Sequence, residues 1–488
     1  MEYLFSNEYD RISVLKYLDC NNKKWIQSER IAAEVKLSKS SVSKTVTAIK
    51  DLIHSLNLEG VVIDSGTNKG IYFERNRRVP LHILIENIYT ESLSFIIIDA
   101  LLNEKIRSLN QFAMDNYISI ASLRRKIQAL NDILKEKDIA IKRNRLVGNE
   151  YNVRAFLFGF YWEIFRGTNW PFPSTMKKNF EAQANYIEPQ LKLWINESSK
   201  EQIYYFLSIS EIRELKGHSV KETVEKDEEV KGLSISNPLY LKQKEIKTAT
   251  NRFKIFPEEV YQYVYYVINS FSLDYRKCMT ENIQNLWNIF KEQNTISVKI
   301  AEKTLSSYNS DTGSKLTEEE FIENVLSLCM IHHKAHILSD SSFYQNADSL
   351  KEIKRLFPNL YATIEATIDE RLSEYPDVKY NKMIIMEEYA LMIYDSINLG
   401  LYSYEINVAL NMSGGFRSEK KLEDQLLKRF GDRLSLKFVS PNEKHDILIT
   451  DTQVIFGGSN SPVYIEENRL TDADLDYLKE LFEKLKVG

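Results

Sequence analysis

Cysteine is nearly missing from this chain: Cys20, Cys278 and Cys329 are the only three in 488 residues. Their wide spacing fits neither a zinc site nor a disulfide framework, so each is expected to be a small buried apolar residue, and no metal is expected. Long apolar runs are missing too, since nothing approaches the roughly eighteen consecutive apolar residues that span a bilayer. The first ten residues, MEYLFSNEYD, lack the basic-then-apolar order of a secretory signal. The expected location is therefore the cytoplasm, with no membrane partner. Glycine and proline number only 16 and 10 and are sparse between residues 155 and 400, which favours helices there.

What is present is a pattern written twice. Residues 28–61 and 109–142 share one apolar register at a constant offset of 81: Ile31, Ala32, Leu37, Ser38, Ser41, Val42, Val46, Ile49, Ile53 and Leu58 fall on Phe112, Ala113, Ile118, Ser119, Ser122, Leu123, Ile127, Leu130, Leu134 and Ile139. The shared positions are apolar or are serines suited to opening a helix, whereas the intervening polar positions differ. One scaffold thus presents two different faces.

In the first copy Ser28 is expected to cap a short helix, Glu29–Val35, and a turn through Lys36, Leu37 and Ser38 leads to a longer one. Along that second helix Val42, Val46, Ile49 and Ile53 share a face, which leaves Ser40, Ser43, Lys44, Thr47 and Lys50 outward. Short hydroxyls and lysines on an exposed helix suit the major groove, where they reach base edges and phosphates. Two β-branched or aromatic runs, Val61–Ile63 and Ile71–Phe73, flank a segment with two glycines and predict a hairpin wing. Lys39, Ser40, Ser43, Lys44, Thr47, Lys50 and the wing residue Lys69 are the candidate DNA contacts.

In the second copy Leu109–Met114 supplies the shorter helix, and Ser119 or Ser122 opens the longer one. Arg124, Arg125 and Lys126 begin its exposed face. Ile139–Lys142 and Arg145–Gly148, joined at Arg143 and Asn144, form a smaller and more basic wing. Three cations at the start of a helix oppose its macrodipole at roughly 0.3 to 1 kcal/mol each, a cost that a phosphate backbone would offset. Arg124, Arg125, Lys126, Arg143 and Arg145 are the second set of candidate contacts. Residues 1–154 carry 24 Lys and Arg against 19 Asp and Glu, a net +5 within a chain whose total is −5, so the basic end is the end with the duplication.

From residue 155 to 400 the pattern is helical. Phe156–Phe165 is an aromatic helix broken at Gly167–Pro173. Amphipathic helices are predicted at Glu188–Ile195, Gln202–Leu215, Glu258–Phe271, Ile283–Phe290, Glu318–Leu338, Leu350–Leu356, Leu360–Leu372 and Lys382–Ile397, enough for two bundles. Lys221–Lys231 is expected to be an exposed, charge-rich loop or helix end. His218, His332, His333 and His336 lie in this span, and a neutral imidazole is a competent phosphoryl acceptor. Strands then alternate with helices: Tyr404–Leu410, Arg417–Phe430, Leu434–Val439, Asp446–Thr450, Val463–Ile465 and Asp472–Leu485 predict a small parallel sheet. The loop NMSGGFRSEK sits at a strand end and helix start, where phosphate binds in α/β domains, but it lacks the lysine and threonine of a nucleotide loop.

The order of parts, carried by SERIAAEVKLSKSSVSKTVTAIKDL, LNQFAMDNYISIASLRRKIQALNDIL, FLFGFYWEIF and NMSGGFRSEKKLEDQLLKRF, resembles the Mga-type virulence and global regulators of Gram-positive bacteria, the group that includes the anthrax toxin activator. The resemblance implies a mainly α multidomain chain. Its parts would be winged helix-turn-helix domains at 1–78 and 79–165, helical bundles like those regulated by the sugar phosphotransferase system (PRD-like) at 166–284 and 285–398, and an enzyme-IIB-like α/β domain at 399–488. It implies a homodimeric, DNA-binding transcription activator with no cofactor, in contact with RNA polymerase. It also implies tuning by the phosphocarrier protein through His218 and one of His332, His333 or His336. An enzyme IIB loop presents a cysteine or histidine nucleophile, whereas this loop offers Asn411, Met412, Ser413, Gly414 and Gly415, so no catalytic residue is assigned and the tail is expected to serve interaction or dimerisation. The competing readings are an RNA-binding antiterminator, whose head would be a small β-rich dimer, and a phosphotransferase component, which the missing nucleophile disfavours.

Overall fold

Ser38 and Ser119 each end an extended stretch and start a long helix, and in the computed structural model their neighbourhoods fold alike. The structure describes residues 4–66, 69–191, 196–232, 257–271, 280–312, 317–339, 347–396, 405–431, 434–452, 463–465 and 470–485. The chain forms two compact units, Met1–Tyr344 with Asp377–Asn381, and Gln345–Pro376 with Lys382–Gly488. It is mostly helical with a few small sheets. Among the described residues no helix is long and apolar enough to cross a membrane, and no group of three His, Cys, Asp or Glu side chains could hold a metal ion.

The first unit opens with α1 (Ser6–Cys20), β1 (Trp25–Ile26), α2 (Ser28–Glu34), α3 (Lys39–Ser55), β2 (Val61–Gly66) and β3 (Gly70–Arg75). The apolar stripe of α3 is buried as its spacing requires, with Val42 and Ile49 fully covered. Gln27, not Ser28, is the residue preceding α2, and it makes no side-chain cap; Ser28 is already helical. The wing is larger than expected: β1 pairs antiparallel with β3, giving a three-stranded sheet in the order β1-β3-β2. A two-residue strand carries no periodicity, so only the pairing of Trp25 with Tyr72 reveals it. Asp19 of α1 takes Arg75 through two 2.8 Å contacts and Arg77 through a third, tying the wing to the first helix. Those hydrogen bonds hold the Asp19 carboxyl below its usual range.

Next come α4 (His82–Thr90), α5 (Leu93–Leu102), α6 (Leu109–Asp115), α7 (Ile120–Lys135), β4 (Ile139–Lys142) and β5 (Arg145–Gly148). The second wing has the predicted bounds. Its turn residues Arg143 and Asn144 have φ of 50° and 61°, the left-handed pair that a two-residue hairpin of matching twist needs.

The remaining helices of this unit are α8 (Glu150–Phe165), α9 (Ser174–Leu191), α10 (Glu197–Leu215), α11 (Lys221–Val224), α12 (Glu228–Gly232), α13 (Glu258–Ser270), α14 (Thr280–Gln293), α15 (Ile296–Thr312) and α16 (Glu318–Ile337). Helix α8 is buried on nearly every side, as an all-round apolar helix must be. It starts six residues earlier than the aromatic run because Asn149 caps it, accepting a hydrogen bond from the Tyr151 amide at 2.8 Å. Cys329 is buried as expected, but Cys20 is exposed at the end of α1, and Cys278 lies outside the described residues.

The second unit holds α17 (Ala347–Leu356), α18 (Pro358–Ser373), α19 (Lys382–Ser396), β6 (Glu405–Asn411), α20 (Phe416–Phe430), β7 (Ser435–Val439), β8 (Ile447–Thr450), β9 (Val463–Tyr464) and α21 (Asp472–Leu485). All three strand pairings are parallel, in the order β7-β6-β8-β9. Val408 and Ile449 of the sheet share one apolar core with Leu426 of α20 and Leu478 of α21. Helix α20, between β6 and β7, and α21, after β9, both pack their apolar residues into that core.

Candidate nucleic-acid interface

The offset of 81 extends from apolar positions to individual hydrogen bonds. Ser38 Oγ accepts from the Ser41 amide at 3.1 Å and lies 2.8 Å from Ser41 Oγ; Ser119 Oγ accepts from the Ser122 amide at 3.1 Å and lies 2.9 Å from Ser122 Oγ. Both long helices therefore begin with the same cap, and both project their first turns outward. Because Ser119 is the cap, Arg124 and Arg125 fall in the second turn of α7. The macrodipole cost expected for cations at the helix start is then small, since that field fades within the first turn.

The candidate contacts divide into two groups. Ser40, Ser43, Lys44 and Thr47 on α3, Arg124 and Arg125 on α7, and Arg143 at the second wing's turn are all exposed. The Thr47 hydroxyl donates to the Ser43 carbonyl at 3.1 Å, and Arg125 reaches Ser122 Oγ at 3.5 Å. The other group is engaged within the protein. Lys39 pairs with Glu29, Lys50 stands 3.9 Å from Asp64, Lys69 lies over the Trp25 ring, and Arg145 meets Glu104 at 3.1 Å. Lys126 is half-buried with its ammonium donating to the Leu4 carbonyl at 3.0 Å, and burial lowers its pKa. It turns inward although it follows two outward arginines.

Transferring the offset to the polar face identifies residues that charge and hydroxyl content alone did not. Ser43, Lys44 and Thr47 correspond to Arg124, Arg125 and Gln128, and Gln128 is exposed on the same face of α7. Its amide donates to Asp132 at 2.9 Å; glutamine at such a position has the donor and acceptor pair that adenine requires. Lys36 and Tyr117 are the turn residues two positions before the capping serines, with φ of 55° and 56°. Tyr117 is 98% exposed. A fully exposed tyrosine in the left-handed region costs about 1 kcal/mol or more of backbone strain, and it stands beside the capped end of α7.

Behind the second wing lies a buried ionic network. Glu150 at the start of α8 pairs with Arg154 at 3.3 Å and with Arg213 of α10; Arg154 reaches Glu214 at 2.7 Å and the His218 carbonyl at 3.1 Å; Arg213 donates to the Leu146 carbonyl of β5 at 3.2 Å. Arg154 is fully buried. Wing, α8 and α10 are thus joined by charges that cannot be separated without exposing one of them to an apolar interior.

The four histidines differ sharply. His218 keeps an 18% exposed side chain and meets Glu104 Oε1 through Nε2 at 2.8 Å. His336 Nε2 contacts Asp227 Oδ2 at 2.9 Å and its Nδ1 faces the Lys379 carbonyl at 3.0 Å. Burial opposes its charged form, but the Asp227 hydrogen bond and charge prevail and raise its pKa. His332 and His333 are sealed in the interior, and burial pushes both down to about 3. The stretch Lys221–Lys231 is not merely a solvated loop: Asp227 accepts from the amides of Glu229 and Val230 at the start of α12, and Glu229 is buried, accepting from the amides of Ile296 and Ser297 at 2.8 and 3.1 Å. A carboxylate at the amino end of α15 satisfies unpaired amides there, which explains why an acidic run enters the core.

In the second unit the loop after β6 is closed by its own chain. Met412 is buried in the sheet's core, and Ser413 donates to Asp451 through its amide at 2.7 Å and its hydroxyl at 2.6 Å. A carboxylate already occupies the donors that an incoming phosphate would use.

Residues 78–161 match the Mga helix-turn-helix domain. The chain carries an Mga-type helix-turn-helix domain. The Mga-type match covers α4 to most of α8, so it takes in both helices and the wing of the second copy. The chain is 22% identical over 462 residues to the capsule synthesis positive regulator AcpA of Bacillus anthracis, covering 91% of this chain and 89% of that protein. It is 22% identical over 218 residues to the capsule synthesis positive regulator AcpB of the same organism, covering 43% of each chain.

Proposed function

We propose that this regulator grips duplex DNA with both α3 and α7, each laid in a major groove with its wing against the flanking backbone, and that it activates transcription as a homodimer in contact with RNA polymerase. The observation that carries this reading is the repeated cap: two helices of the same construction present Ser43, Lys44 and Thr47 in one case and Arg124, Arg125 and Gln128 in the other. One scaffold with two polar faces reads two sequences. Half-site spacing then follows the geometry of the dimer. The five-part division at 1–78, 79–165, 166–284, 285–398 and 399–488 belongs to the same proposal. So does the enzyme-IIB-like character of the tail, whose self-occupied loop favours an interaction role.

Lys44→Ala tests the first helix-turn-helix copy. Binding should weaken about equally for all duplexes, and the slope of log affinity against log salt should flatten by roughly 0.9, the value for one phosphate contact. An unchanged slope, measured by fluorescence anisotropy from low to physiological salt, would take α3 out of the groove.

Phosphorylation by the phosphocarrier protein is the proposed input from sugar supply. Of the four candidates, His218 and His336 keep partly exposed side chains, while His332 and His333 are covered on all sides. Incubation with the phosphocarrier system and radiolabelled phosphoenolpyruvate should leave acid-labile label on peptides containing His218 or His336. Label that survives His218→Ala with His336→Ala would transfer the role to the buried pair, and no label in the wild type would remove this input.

A further inference from the structure

Glu104 follows α5 in the left-handed region, with φ of +51°. Glycine or asparagine is the usual residue there, because a larger side chain is strained in that conformation. The side chain in this position is nonetheless a largely buried carboxylate with two long-range partners. Its Oε1 meets Nε2 of His218, in the loop that follows α10, at 2.8 Å, and its Oε2 meets the guanidinium of Arg145 on β5 at 3.1 Å. The Glu104 carboxyl is held below its usual range: burial opposes ionisation, but His218, Arg145 and Lys216 together prevail. Glu104 and His218 are 14% and 18% exposed in their side chains, whereas Arg145 is 56% exposed. Two members of the triad therefore lie within the protein, and the third stands where a phosphate can reach it.

We propose that Glu104 is a positioning residue for DNA recognition, whose carboxylate competes with backbone phosphate for Arg145 while His218, in the loop after α10, sets how much of that carboxylate Arg145 must satisfy. This rests on the reading that the second winged unit binds DNA. The Arg145 end of the pair is open to water, where solvent screening leaves such contacts weak, so a phosphate can displace it. The Glu104 end is enclosed, so on release it depends on His218 and on the field of Lys216. A carboxylate so placed weakens the grip of the wing, and a change at His218 is transmitted to the wing through one shared side chain.

The test is a cycle of variants of the full chain, read as affinity and salt slope on a promoter duplex, with thermal melting as a check on folding. Glu104→Gln keeps the shape of the side chain and removes its charge; affinity should rise about 3- to 10-fold, and the salt slope should steepen by up to roughly 0.9 as Arg145 becomes a full phosphate contact. Arg145→Gln should lower both. Combining the two should give the affinity of Arg145→Gln alone, because the gain passes through that arginine. His218→Gln should reduce affinity about 2- to 3-fold in the wild-type background, as for a modest weakening of the contact to Glu104 that leaves more of the carboxylate to Arg145, and should do nothing in the Glu104→Gln background. Glu104→Asn, which suits the left-handed backbone, should repeat the Glu104→Gln gain and guards against misfolding in the first variant. The proposal is overturned if Glu104→Gln and Glu104→Asn leave affinity and slope unchanged while Arg145→Gln lowers them, or if the gain persists without Arg145. A wild-type chain that retains no duplex at low salt would overturn the DNA-binding reading itself, a separate outcome visible before any variant is compared.

Discussion

Replacing Arg124 and Arg125 together with alanine is expected to abolish retention of promoter DNA in a gel shift while leaving the fold intact. Both guanidiniums are exposed on the second turn of α7, beyond a serine cap that stays in place without them. A bidentate arginine contact to guanine discriminates by about 1 to 3 kcal/mol. Losing two such contacts weakens binding by roughly thirty-fold to ten-thousand-fold if they are independent. Neither side chain is part of the core, so melting should be unchanged. Retention of full affinity by the double variant would remove α7 as a reader. A fall in affinity accompanied by a fall in melting temperature would instead indicate damage to the scaffold.

Arg154→Met is expected to be among the most destabilising single changes in the chain. The guanidinium is fully buried between Glu150 and Glu214, and it also supports the His218 carbonyl. Removing one partner from a buried ionic network costs about 3 to 5 kcal/mol, because the remaining charges keep their desolvation penalty and lose their compensation. Glu150 retains Arg213, but Glu214 loses its arginine. The melting transition of the first unit should fall by on the order of 10 °C, and amide exchange should accelerate first in α8 and α10. The comparison is Lys135→Ala, which breaks an exposed pair with Asp132 at 62% and 57% side-chain exposure; there the change should stay below about 0.5 kcal/mol. If the two variants melted alike, the network would be a surface feature in energetic terms and the coupling of wing to bundle would lose its basis.

Much of the scaffold follows from short-range order. The apolar spacing of Val42, Val46, Ile49 and Ile53 places α3, the serine caps place its start, and the turn at Arg143 and Asn144 closes the second wing. Each of these acts within one or two turns of chain, where periodicity and backbone preference are sufficient. The duplication is a property of the sequence for the same reason, and it extends to Gln128 and Tyr117 once the polar face is compared at the same offset. The small parallel sheet was legible too, because its short apolar runs are flanked by amphipathic helices at Arg417–Phe430 and Asp472–Leu485.

The state of each charged group was not legible in this way. Arg124, Arg125 and Lys126 are adjacent cations, yet two face outward and the third turns to the Leu4 carbonyl, 122 residues away in the chain. Asp227 and Glu229 sit in a run that composition marks as solvated, and tertiary packing makes them the partners of His336 and of the α15 amides. His218 and Arg145 are brought to one carboxylate across separations that no local pattern encodes. By itself the sequence determined two winged modules at a basic end, a helical middle and an α/β tail, since periodicity and backbone preference act between near neighbours. Only the tertiary structure decided which cations remain open to a phosphate and which histidines are sealed, because desolvation and ion pairing depend on what the fold brings alongside.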